Sequence, residues 1–155
     1  VSVVAAAWPG GEAMRGRIAR HRADRPTGVA TVECPLHLSE TLQAQACDGH
    51  LLVVDCLTLW LTNWLMPLQG EPDRVAWRHE RDEMLQALQG VSSPVVLVSN
   101  EVGWGISPMS ASVRAFVDEL GWLNQAVARR CQQVTLMVAG QAWTRPVDTV
   151  QVDLP

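Results

Sequence analysis

The 155-residue chain is 48% apolar and 18% charged and carries a net charge of −4. That balance describes a single globular domain, residues 1–155, with enough chain to bury a core; it excludes a disordered polypeptide and a nucleic-acid binder held by a broad basic face. Residues 1–7 are too short for a secretory signal core, and no apolar run reaches the ~18 residues of a membrane span, so a cytoplasmic protein with no membrane partner is the expectation.

Apolar runs alternate with helical patterns along the chain. Residues 1–6 read as a buried strand that empties into Trp8-Pro9-Gly10-Gly11. A helical stretch over 12–21 leads into an arginine cluster, and a shorter one over 38–46 follows Pro35. Residues 51–55, LLVVD, form a second apolar strand closed by an aspartate. Residues 57–65 are apolar nearly all round, which suits a helix buried against a sheet or a subunit neighbour. An amphipathic, charge-laced helix is expected over 73–88, ended by Gln89-Gly90. Residues 94–99 are a third strand, running into Asn100, Glu101 and a loop relaxed by Gly103 and Gly105. A long helix over 110–130 carries Val113, Phe116, Val117, Leu120, Leu123 and Val127 at helical spacing. Residues 134–139 read as a fourth buried parallel strand, and 149–152 as a final edge strand. Short Val/Leu-rich strands alternating with helices point to an α/β fold, a mostly parallel sheet with helices on both faces.

The densest chemistry is RIARHRADRP, residues 17–26, where Arg17, Arg20, Arg22 and Arg25 surround His21. A solvated basic helix end is one reading; an anion site, with His21 steering or attacking a phosphate, is the other. Asp55, closing an apolar strand, suits either a helix N-cap or a carboxylate beside a nucleotide-bound magnesium ion. The Asn100-Glu101 strand end reads as a turn or as a third edge of a ligand crevice, because in parallel sheets ligands bind beyond the carboxyl ends of the strands. Cys34, Cys47, Cys56 and Cys131 show neither zinc nor dithiol spacing, so reduced thiols are expected. All twelve basic residues are arginine, so no lysine here can serve a phosphate-binding loop.

Taken in order, these segments resemble the bifunctional adenosylcobinamide kinase / adenosylcobinamide-phosphate guanylyltransferase family of cobalamin biosynthesis. The resemblance rests on MRGRIARHRADRP followed by Thr31-Val32-Glu33; on Asp55-Cys56-Leu57-Thr58 with Thr62-Asn63; on NEVGWGISP at 100–108; and on Gly121 through Asn124-Gln125. It implies a P-loop NTPase-like (RecA-like) fold and an enzyme using ATP, GTP and Mg2+ on a corrinoid. His21 would be the nucleophile that carries GMP. Arg22, Ala23, Asp24 and Arg25 would line the nucleotide, Glu33 would fix guanine or ribose, and Asp55 would organise magnesium. The resemblance also implies a homo-oligomer, a trimer, acting in the cytoplasm on small molecules and not on nucleic acid.

Family members open with a strand, a glycine-rich P-loop and a helix, whereas VSVVAAA already matches their second strand. About thirty residues, one strand–loop–helix unit, would then precede the match. The expectation that follows is an N-terminally truncated nucleotide-binding domain with little kinase activity of its own. The competing expectation is a catalytically impaired relative that serves as a nucleotide-binding or assembly module.

Overall fold

A computed structural model describes residues 1–8 and 10–148. The chain divides into two compact units, Val1–Asn100 and Glu101–Pro155.

The first unit runs β1 (Ser2–Ala5), α1 (Glu12–Ala23), β2 (Ala30–Glu33), α2 (Leu38–Gln45), β3 (Leu52–Asp55), α3 (Leu57–Leu65), α4 (Arg74–Gly90) and β4 (Val95–Val98). Its strands form one parallel sheet in the order β2-β1-β3-β4. Ser2 is level with Ala30 on one side and Leu52 on the other, and Leu52 is level with Val95. Parallel neighbours need long crossovers, and helices supply all three. The chain steps from β1 outward to β2, then returns past β1 to β3 and continues to β4. Right-handed crossovers therefore place α1 on one face and α2, α3 and α4 on the other.

The two faces differ in how firmly they are held. Val4, Leu52 and Val54 of the central strands are fully buried, as are Leu38, Leu42, Leu57, Trp60, Leu61, Trp77 and Met84 from α2, α3 and α4. Trp60 and Trp77 meet edge-on with ring centroids 4.9 Å apart, locking α3 to α4. The α2 N-cap position, His37, offers no side-chain cap. Glu80 of α4 fills that role from across the interface, accepting from the Ser39 N–H at 2.8 Å while almost wholly buried. α1, by contrast, buries no residue; Met14 and Ile18 are only half covered. Its composition explains this, since arginines and a histidine recur around the helix.

The second unit holds α5 (Ala111–Ala128), β5 (Gln133–Val138) and β6 (Gln141–Pro146). Ser110 caps α5, and Leu120, Leu123 and Val127 are its buried residues. The expected buried parallel strand over 134–139 is corrected here: β5 pairs antiparallel with β6, and its residues are exposed. Ala139 and Gly140, at φ 50° and 73°, form a two-residue turn between Val138 and Gln141. Two positive φ values match the twist of a tight hairpin, so the chain reverses at once with no room for a crossover. The edge strand expected over 149–152 lies outside the described residues.

Candidate active site at the carboxyl ends of the parallel strands

The connection leaves β1 toward one edge and β3 toward the other, so α1 and α3 diverge on opposite faces beyond the ends of the two central strands. Such a switch point opens a crevice in any doubly wound sheet. A cavity of about 310 Å³ lies there. All four strands reach it: Ala5 and Ala7 from the end of β1, Glu33 from β2, Asp55 and Cys56 from β3, Val98 and Asn100 from β4.

α1 supplies one wall through Met14, Arg17, Ile18, His21, Arg22 and, just past its end, Arg25. These positions follow the i, i+3, i+4, i+7 pattern of a single helical face. Helical geometry thus sorts the arginine cluster: Arg17, Arg22 and Arg25 face the cavity with His21. Ala23 and Asp24 fall off that face and do not line it. Asp24 instead ends the helix, its backbone N–H reaching the carbonyls of Arg20 and Arg22.

Glu33 pairs with Arg22, and Arg25 donates to the Thr31 hydroxyl, so β2 steers two of the three guanidiniums. On the opposite wall the Asn100 amide donates to Thr58 Oγ1 at 2.8 Å, beside Asp55. Burial pushes the Cys56 thiol up in pKa, so it stays protonated and inert at neutral pH. The resulting electrostatics are asymmetric. Three guanidiniums and an exposed imidazole face two carboxylates, Glu33 and Asp55, across a space of nucleotide scale.

Five of the seven residues expected at the site, His21, Arg22, Arg25, Glu33 and Asp55, share this cavity. Arg17 of the arginine cluster and Asn100 of the third strand end join them, as do Thr31 and Thr58, to which no role had been given. Arg17 is placed by spacing, four positions before His21, and Asn100 by its strand end; Thr58 was detectable only as a neighbour of the Asp55 strand end. The other histidines lie elsewhere: His50 contacts Ser2 Oγ at 2.9 Å, His79 sits 3.6 Å from Glu83, and His37 meets Trp64 edge-on.

The mouth of the crevice is tied by α3. Asn63 Nδ2 donates to the carbonyls of Ala6, at 2.7 Å, and Pro35, at 2.9 Å, just beyond β1 and β2. Trp60 Nε1 donates to the Leu36 carbonyl at 2.7 Å. Among the described residues no group of three or more His, Cys, Asp or Glu could hold a metal ion by itself. The single carboxylate of Asp55, with hydroxyl and amide oxygens beside it, suits a hard ion that keeps most of its ligands from phosphate and water. No helix among the described residues is long and apolar enough to cross a membrane.

The sequence that builds this site has relatives. The family model for cobinamide kinase / cobinamide phosphate guanyltransferase matches residues 1–144. The bifunctional adenosylcobalamin biosynthesis protein CobP of Pseudomonas aeruginosa is 48% identical over 140 residues, covering 90% of this chain and 79% of that protein. The CobU proteins of Salmonella typhimurium and Escherichia coli, described in the same words, are each 35% identical over 136 residues, covering 82% of this chain and 75% of theirs. With a crevice at the sheet's switch point, a histidine among arginines on one wall and a match across nearly the whole chain, this protein belongs to the cobinamide kinase / cobinamide phosphate guanyltransferase family.

Proposed function

We propose that this protein acts in cobalamin biosynthesis, phosphorylating adenosylcobinamide and then transferring GMP from GTP to adenosylcobinamide phosphate, with His21 as the guanylyl carrier. The observation that supports this most is the shared cavity of His21 with Arg17, Arg22, Arg25, Glu33 and Asp55 at the strand ends. Neutral imidazole attacks the α-phosphorus of GTP, a nitrogen–phosphorus bond forms, and the α–β bridging bond breaks to release pyrophosphate. A phosphate oxygen of adenosylcobinamide phosphate then attacks the same phosphorus, and the imidazole leaves with its electron pair restored. Imidazole serves both halves because it is nucleophilic when neutral and a good leaving group when protonated.

The arginines hold the phosphates and absorb negative charge as it shifts toward the leaving pyrophosphate. Glu33, at the β2 end, is an acceptor suited to the guanine N1–H and N2–H edge, and Arg22 pairs with it. Asp55 would hold a magnesium ion brought in on the nucleotide, which neutralises phosphate charge when bound. Phosphoryl transfer at the same carboxyl ends of the strands, with either ATP or GTP as donor, would also need a phosphate-binding loop, whose lysine none of these residues supplies.

Incubation with GTP labelled at the α or the γ position tests the carrier step. Alpha label bound to protein in an acid-labile, base-stable form, with no gamma label retained, is the expected result. Retained gamma label, or no protein-bound label with pyrophosphate still released, would refute a guanylyl carrier.

A further inference from the structure

The His21 cavity adjoins a second depression of about 470 Å³, and Met14 and Leu59 line both. The two differ sharply in chemistry. None of the residues lining the second is ionisable, whereas the first carries Arg17, Arg22 and Arg25. Trp8, Met66 and Leu68 form its apolar surface and remain exposed, at 46%, 39% and 70% of their full areas. Gln69 adds a neutral amide at the rim. Leu68 closes against the turn after β1: a Cβ placed on Gly10 would come within 2.7 Å of Leu68 Cδ1, so a side chain there would displace the leucine.

We infer that this groove seats the apolar body of the acceptor substrate, a corrinoid macrocycle rimmed by neutral amides, while its phosphate-bearing arm reaches past Met14 and Leu59 to His21. The inference rests on reading the His21 cavity as the guanylyl-transfer site. Three observations select this occupant. The groove is continuous with the reacting centre, as an acceptor site must be. The step from arginine-lined to uncharged matches a molecule with one anionic end and a large neutral body. The first cavity is of a size for one nucleotide, so the second substrate needs its own space. Three exposed apolar side chains supply surface that the ring would remove from water.

Equilibrium dialysis against cobinamide, followed by its visible absorbance, tests this beside GTP binding on the same preparations. Wild type is expected to retain both ligands. Leu68→Asp and Trp8→Ala should each weaken cobinamide about tenfold, through lost apolar contact, and leave GTP affinity unchanged. Trp8→Phe should restore most of the loss. Full cobinamide affinity in both Leu68→Asp and Trp8→Ala would overturn the inference, as would a wild type that binds GTP but no cobinamide. Self-association lost in Leu68→Asp, with no cobinamide bound, would assign the groove to a second copy of the chain and overturn it too. Groove-dependent cobinamide binding without GTP binding would instead uphold the groove and defeat the reading of the His21 cavity.

Discussion

Asn63 offers the sharpest test of how the crevice is built. Its Nδ2 donates to the Ala6 and Pro35 carbonyls at 2.7 and 2.9 Å, joining the exits of β1 and β2 from a position on α3. Asn63→Ala removes both hydrogen bonds and leaves two carbonyls to find other donors. An unsatisfied buried group costs ~1–3 kcal/mol, but this side chain is only half-buried, so water recovers part of that loss. A net destabilisation of about 2 kcal/mol is expected. At an m-value of ~2 kcal/mol/M in urea, the midpoint should fall by about 1 M. Asn63→Asp should cost at least as much at neutral pH, because it replaces the donor with an anion facing two carbonyl oxygens. The assay is urea unfolding followed by tryptophan fluorescence, with the m-value checked for constancy. An unchanged midpoint in both variants would refute the claim that Asn63 clasps the strand exits.

Asp55→Asn keeps the side chain's shape but loses the anion, so magnesium should no longer strengthen GTP binding; titrations of the variant with and without magnesium should coincide. Glu80→Ala should lower stability by ~1–3 kcal/mol by leaving the Ser39 N–H without its acceptor, whereas Glu80→Gln keeps an acceptor and should recover most of it in thermal melts. Burial raises the Cys34 and Cys56 thiols above 9.0, so the folded chain holds protons that the unfolded chain has released. Their contribution is therefore complete below pH 9.0 and lost as pH rises through the folded values; wild-type melting temperature should drop at alkaline pH, and Cys34→Ala should flatten that drop.

The central strands were readable because burial on both faces demands continuous apolar runs: LLVVD ends at Asp55 in the structure as in the pattern. The helix at 57–65 was readable for the same reason, with Leu57, Trp60, Leu61 and Leu65 buried. β2 escaped because ATVE is a half-exposed edge strand whose polar residues break the apolar run. β6 escaped because Gln141 and Arg145 dilute its pattern, although the Ala139-Gly140 turn signals a hairpin. Within the site, spacing alone could place Arg17 beside His21 and put Ala23 and Asp24 off that face. The Arg22–Glu33 pair could not be read, since it depends on α1 lying over the end of β2.

The most direct measurement is the identity of the guanylylated residue. After reaction with alpha-labelled GTP, digestion at glutamates under neutral or basic conditions should preserve the acid-labile bond. The segment between Glu12 and Glu33 contains His21 as its only histidine, and His37, His50 and His79 fall in other peptides. Label confined to the His21 peptide, and absent in His21→Asn while that variant still binds GTP, is the predicted result. Label on any other peptide, or equal labelling of His21→Asn and wild type, would contradict the account.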